Sequence, residues 1–488
     1  MDKLRFYVDI FNKADEEVYK NSIDNAHAYE WLKNEIPLFE CPDEDVERAY
    51  YFRWWTFRKH VKKTAEGFVI TEFLPDVPWS GKYNVINAPN GHHLYEGRWL
   101  KNADKYLSQY AWFYFENPNS SHLYSTWLID GIFALSSVTG NFYTEGFLDK
   151  ACAYYEKWEE THLTKLGAFW SIDDRDAMEF SISGRDEKLN PMRGVRPTLN
   201  SYMCADALAI ARFALANGNR EIERTYLEKH EKLKKFINDN LWSDGFYRAF
   251  HYKNDVCENL FEDYKGEKVR EEIGYIPWMF NIPDKGREDV FNLLEDDACF
   301  YTPYGIACAD KSHKRFLYEK DHECLWNGYV WPYATSQTLT ALKNVIKNYG
   351  RADFEDMYCR LLVQYAKSHY RITENGTKVD WIDEVRHPLR DEWSSRELLK
   401  QWGWSKDKGG YERGKDYNHS TFCDLIISGL VGVNTDSENL TLSPVIPKDW
   451  DWFKLENLTY RGKSYTVIYD RDGSKFGKAK GISVIEEN

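Results

Sequence analysis

The sequence predicts a mainly α-helical protein: one large helical domain with β-containing segments at its two ends. Three observations carry this expectation. Segment after segment places apolar residues at three- and four-residue spacing, long loops rich in Trp, Asp and Gly separate these segments, and the pattern changes to apolar/polar alternation after Leu440.

The helical spacing covers Phe142–His162, Thr198–Asn217, Ile222–Trp242, Ala334–Tyr349, Ala352–His369 and Ser420–Val433. Pro332 stands where a helix start favours proline, and Gly218 and Gly350 stand just past helix stops. Before these, residues 1–99 read as a mixed segment: a polar helical opening, an aromatic run at Tyr50–Phe57, then GFVITEFLP, a strand bounded by Gly and Pro. Residues 100–439 form the expected helical domain. Residues 440–488, with Arg-Gly, Asp-Gly and Lys-Gly turns, form a small antiparallel β appendage.

Composition limits the function. A formal net charge of −14 without a Lys/Arg cluster argues against nucleic-acid binding. The opening MDKLRFYVDIFNKADEEVYK has no continuous apolar stretch, so neither a signal peptide nor a membrane anchor is expected and the reading is cytoplasmic. Nine cysteines without a CxxC or a Cys/His zinc spacing fit free thiols in a reducing compartment. Nucleophile elbows, phosphate-binding glycine loops and zinc motifs are missing, so no cofactor and no metal are expected. Aromatic residues reach 16%, enough both to fill helical cores and to offer flat faces to sugar rings. What remains is acid–base chemistry.

Two acid-rich loops could supply it. AFWSIDDRDAMEFSISG crowds Asp173, Asp174, Asp176 and Glu179 beside Trp170, and crowded carboxyls raise one another's pKa as an acid catalyst requires. Its plain alternative is a solvated acidic turn. VDWIDEVRHPLRDEW places Asp380, Asp383 and Glu384 around Trp381 among apolar residues; here the alternative is a helix cap by an aspartate. Glu412 is a rival base, and Asp206 reads as a supporting residue on its helix. Polar-aromatic loops supply candidate sugar contacts at Trp127, Asp130, Trp170, Arg196, Asn200, Trp326, Asn327, Trp331, Gln337, Trp381, Asp383, Tyr417 and His419.

Together RWWTFRKH, VITEFLP, EGRWL, YSTWLIDG, DAMEFSISG, RPTLNSYM, WNGYVWPYATSQTLTAL, VDWIDE, YNHSTFCDLIISGL and SPVIP resemble the six-hairpin glycoside hydrolases. The likeness is to the mannosylglycerate-hydrolase-like group, related to trehalases and processing α-glucosidases. The resemblance implies an (α/α)6 barrel, an inverting mechanism and exo-action on a terminal sugar of an oligosaccharide or small glycoside. It also implies Glu179 as general acid and Glu384 as general base, with Trp127 and Asp130 in the first sugar subsite. Where the trehalase-type pattern has Asp, this chain has Glu179 with Asp176 one turn earlier, and both stand as candidates for the acid. A phosphorylase on the same barrel, using Arg386, Arg390 or Arg413 for phosphate, and a non-catalytic carbohydrate-binding protein are the alternatives. Arabinofuranosides, rhamnosides, glucosides and mannosides all fit the pattern.

Overall fold

The computed structural model describes residues 2–487 apart from 144, 254–255, 260–268, 319–321 and 402. The chain opens with α1 (Lys3–Ala14), α2 (Asn25–Glu35) and α3 (Glu44–His60). It continues through α4 (Asn90–Gly97), α5 (Ala103–Glu116), α6 (Leu128–Thr139), α7 (Phe147–His162), α8 (Pro197–Ala216) and α9 (Arg220–Phe236). α10 (Ile276–Met279), α11 (Pro332–Asn348), α12 (Glu355–Lys367) and a π-wound segment, Leu425–Leu430, complete the helices that build the barrel.

Burial sorts these helices into two layers. α8 is buried around nearly its whole circumference from Pro197 to Ala214, and α11 likewise from Pro332 to Ile346, as expected of helices enclosed on every side. Both begin with Pro at the first helical position, where its missing N–H costs nothing. α9 instead buries one stripe, Tyr226, His230 and Leu233, starts under an Asn219 cap that accepts from Ile222 N at 3.1 Å, and presents charge on its other face. Neighbour contacts run α4–α6–α8–α10–α11 and on to Leu425–Leu430.

The ring closes where Glu96, at the end of α4, accepts the backbone N–H groups of Phe422 (3.1 Å), Cys423 (2.9 Å) and Asp424 (2.8 Å). A carboxylate on the free N–H groups of a helix start is favourable on both hydrogen-bond and dipole grounds. Asp424 in turn accepts from Arg98 (2.7 Å) and Trp99 (2.6 Å). α3, buried along most of its length, packs against α1 and α12, and the architecture is the (α/α)6 barrel the resemblance implied.

The expected strand in GFVITEFLP is Phe68–Ile70, paired antiparallel with Val61–Lys63. The expected terminal β appendage is a four-stranded antiparallel sheet, ordered Leu38–Glu40, Trp452–Tyr460, Lys463–Asp470, Gly481–Glu487. Its first strand comes from the other end of the chain. A two-residue Arg461-Gly462 turn, both at positive φ (48° and 78°), joins the two central strands, as the Arg-Gly pair predicted.

Helices α3 to α6 lay outside the sequence-predicted set. α3 carries Tyr50, Tyr51, Trp54, Trp55 and Phe57, all buried, so no polar face marks the period. No helix among the described residues is long and apolar enough to cross a membrane.

Candidate active site

Inner helices begin at one end of the barrel, and the loops leading into them gather there. Ala88 precedes α4, Tyr124 precedes α6, Glu179 precedes α8, Trp326 and Trp331 precede α11, and Glu384, Tyr417 and His419 precede Leu425–Leu430. All of them line one cavity of about 660 Å³.

The first acidic loop is held by two aspartates that face the protein. Asp173, fully buried, accepts from Phe180 N (2.9 Å), Ser181 Oγ (2.5 Å) and Arg185 Nε (2.5 Å). Burial pushes its carboxyl up to about 6. Asp176 accepts from Ser125 Oγ (2.7 Å), Arg196 Nε (2.7 Å) and Thr198 Oγ1 (2.5 Å). Gly184 is required by the closeness of this packing: a Cβ there would lie 2.0 Å from Asp173 Oδ1. Drawn in from both sides, the loop adopts left-handed backbone at Ala177 (φ 57°) and Phe180 (φ 60°), conformations that non-glycine residues hold only when their surroundings impose them. Glu179 lies between these two and faces the cavity. It has no ion-pair partner among the described residues. Burial pushes its carboxyl up to about 8, with the charges of Asp173, Glu384 and Asp174 adding to the rise.

The second loop leaves the hairpin of Tyr370–Ile372 and Lys378–Asp380. Asp380 turns outward into a two-point ion pair with Arg48 (2.5 and 2.6 Å). Asp383 turns inward, accepting from Glu384 N (2.7 Å), Ser395 Oγ (2.6 Å) and Trp381 Nε1 (3.3 Å), and burial pushes it up to about 6. A Cβ on Gly414 would lie 1.9 Å from its Oδ1. Glu384 is thereby aimed into the cavity, where Oε2 accepts from Arg413 Nη2 at 2.9 Å and Oε1 from Cys324 Sγ at 3.4 Å. Arg413 also donates to Glu323 Oε1 at 3.0 Å.

Six of the expected site residues therefore meet: Glu179, Glu384, Trp326, Trp331, Tyr417 and His419. Trp326 and Trp331 stack with ring centroids 4.2 Å apart at 13°, a double aromatic wall. The other expected residues are not on this wall, each for a visible reason. Asp176 and Arg196 pair with each other beneath the first loop, and neither lines the cavity. Asn200 clamps the backbone of Phe169, accepting from its N at 2.8 Å and donating to its O at 2.9 Å. Trp127 is fully buried between His92 and Tyr202. Trp170 is sandwiched by His162 and Arg193, and Trp381 lies under Arg371. Asn327 donates to Tyr318 O, Gln337 to Tyr202 Oη, and Asp383 supports its neighbour. Asp130 accepts from Tyr95 Oη at 2.5 Å and lines a separate cavity of about 280 Å³. Asp206 supports Asp130 by accepting from its N at 2.9 Å, and Glu412 is tied to Arg396.

Glu72 is the carboxyl that sequence reasoning missed. It lies just past the Phe68–Ile70 strand, lines the cavity, accepts from Tyr417 Oη at 2.7 Å and is pushed by burial up to about 8. The signal was present as a single acid inside the apolar run VITEFLP. Glu323, Cys324 and Tyr333 also line the cavity and were missed. His322, Glu323 and Cys324 bring three ligand-type atoms within 4.8 Å of one another, at a His-x-Cys spacing outside the usual zinc patterns.

The profile of the mannosylglycerate hydrolase MGH1-like glycoside hydrolase domain matches residues 82–420. The chain belongs to this family. In this MGH1-like protein the profile of the glycosyl hydrolase family 65 C-terminal domain matches residues 433–486, the β appendage. A solved structure described as a sialidase is similar at 32% identity and a TM-score of 0.87, covering 99% of the MGH1-like chain and 43% of its own. A family 78 rhamnosidase from Bacillus sp. GL1 shares the fold, with a TM-score of 0.56 at 12% identity over 89% of this chain and 40% of its own. The MGH1-like chain thus spans about two-fifths of the length of each of these two proteins.

Proposed function

We propose that the protein is an inverting, exo-acting glycoside hydrolase that removes a terminal sugar from an oligosaccharide or small glycoside. One observation carries the reading: two glutamates from loops far apart in the chain face one aromatic-walled cavity in opposite electrostatic settings. Glu179, without an ion-pair partner among the described residues and pushed up to about 8, holds its proton at neutral pH and suits the general acid. Glu384, ion-paired to Arg413, suits the base. In the reaction Glu179 gives its proton to the departing glycosidic oxygen as that bond to the anomeric carbon breaks. A water on the opposite face forms the new bond while Glu384 takes its proton, so the anomeric configuration inverts. Tyr417, Glu72 and the Trp326–Trp331 stack are placed to hold the sugar. A cavity of about 660 Å³ falls in the size range of small-ligand pockets, which favours a chain end over the middle of a polymer.

Water is favoured over phosphate as the nucleophile because the candidate phosphate ligands are already committed. Arg413 binds Glu323 and Glu384, Arg386 binds Asp391, and Arg390 binds Glu392. The test is a screen of arabinofuranosides, rhamnosides, glucosides and mannosides, with the first-formed anomer resolved by NMR. Inversion, and loss of turnover in both Glu179→Gln and Glu384→Gln, is expected; retention of configuration, or near-normal turnover in either variant, sinks the assignment.

A further inference from the structure

The wall of the catalytic cavity holds a donor set that acid–base hydrolysis does not require. His322, Glu323 and Cys324 are consecutive, and an imidazole nitrogen, a carboxylate oxygen and a sulfur converge within 4.8 Å of one another. Glu384 adds a fourth donor from the other side, with Oε1 at 3.4 Å from Cys324 Sγ, while Glu323 Oε1 lies 4.0 Å from the same sulfur. Zinc bonds of about 2.3 Å to sulfur and about 2.0 Å to oxygen or nitrogen, at tetrahedral angles, place donors roughly 3.3–3.5 Å apart. The Cys324–Glu384 edge already has that length. The other two donors must close in: His322 is only partly buried, and its Nδ1 now accepts from Cys324 N at 3.0 Å while its ring lies 4.7 Å from that of Phe180.

Charge points the same way. Burial and the neighbouring carboxyls push the Cys324 thiol up, so a metal must displace its proton; the thiolate then formed and the carboxylates of Glu323 and Glu384 carry three negative charges against the guanidinium of Arg413 that pairs with both glutamates. A divalent cation brings that cluster to neutrality. Nitrogen, oxygen and sulfur donors together select a borderline ion of the zinc class over calcium or magnesium, which take oxygen alone.

We propose that His322, Glu323, Cys324 and Glu384 form a binding site for a zinc-class divalent cation on the wall of the catalytic cavity, and that its occupancy stops hydrolysis by capturing the base. The second half rests on the assignment of Glu384 above. On binding, the S–H bond of Cys324 breaks, its proton leaves to solvent, and a metal–sulfur bond forms. Glu384 Oε1 exchanges the thiol for the metal and can no longer accept a proton from water. One proton is released per ion, so affinity rises with pH.

The test uses the full chain with Co2+ as an optical probe and Zn2+ as competitor. Expected is a thiolate-to-cobalt charge-transfer absorption that saturates at one equivalent, is displaced by zinc, and strengthens as pH rises. Cys324→Ala and His322→Ala should each abolish it, weakening zinc binding by more than the roughly 10–100-fold expected for loss of an indirect supporting residue. His322→Ala, at a partly exposed position, keeps the test open if Cys324→Ala does not fold. No charge-transfer band in the unaltered chain, or a band that survives either substitution, overturns the site. On any glycoside that is turned over, one equivalent of zinc should abolish turnover and a chelator restore it; bound zinc with undiminished turnover overturns the inhibitory role. Should no glycoside be cleaved, the hydrolase reading fails while the absorption still decides the metal site.

Discussion

In both acidic loops a buried aspartate fixes the backbone next to a glutamate: Asp173 accepts from Phe180 N, and Asp383 accepts from Glu384 N. In both, a glycine leaves the room that the aspartate occupies, Gly184 in one and Gly414 in the other. The loops differ in what faces the glutamate across the cavity. Arg413 pairs with Glu384, whereas Glu179 has no ion-pair partner among the described residues and is raised by further carboxylates. The same side chain thus sits in two opposite electrostatic settings, and under the proposed mechanism these settings divide the acid role from the base role.

The largest effect that tests this contrast comes from removing each glutamate. Glu179→Gln and Glu384→Gln should each lower kcat/KM by roughly 10²–10⁴-fold, measured on purified, folded variants. The Glu179 variant should recover with an aryl leaving group that departs without a proton, and the Glu384 variant should not. Equal recovery in both would break the contrast.

Next in size is Arg413→Met. It leaves Glu323 and Glu384 buried without their cation, which should cost about 3–5 kcal/mol in denaturant unfolding.

Gly184→Ala and Gly414→Ala should each cost about 1–3 kcal/mol by overpacking against Asp173 and Asp383. They should lower kcat more than they raise KM, since each displaces a glutamate and not the sugar-binding walls.

The pH dependence follows from the direction of the Glu179 shift. Its carboxyl is pushed from 4.5 up to about 8 in the folded protein, so the folded state holds this proton more tightly than the unfolded one. Stability from this group is therefore full at low pH and declines as pH rises between those values. Glu179→Gln should raise Tm by a few degrees at pH 8 and leave it nearly unchanged at pH 4, and activity in the unaltered enzyme should fall above pH 8. The smallest effect is expected for Asp380→Asn, which breaks only the outward pair with Arg48: within about 1 kcal/mol of stability, and normal turnover.

Local pattern made several elements legible. α8, α11 and α12 announce themselves by period, α8 and α11 also by Pro at their starts, and the terminal hairpin by alternation with Arg461-Gly462 between its strands. Glu179 and Glu384 were legible as acids in apolar company next to motifs long enough to resemble a family. α3 was not, because its all-round burial erases the polar face that marks a helix in sequence.

The site contacts separate by a different rule. Trp326, Trp331, Tyr417 and His419 line the cavity, while Trp127, Trp170 and Trp381, with the same chemistry, fill the protein beneath its loops. Asp173, Asp176 and Glu179 lie within seven residues, yet the first two point inward to arginines and hydroxyls and only the third faces the cavity. By itself the sequence determined the helical period, the terminal hairpin and the stretches where acids concentrate, because these depend on residues close together along the chain. Which carboxyl pairs with Arg413, which has no ion-pair partner among the described residues, and which tryptophan meets open space were decided by the folding of the ring, since each depends on residues from remote loops and on the water that burial excludes.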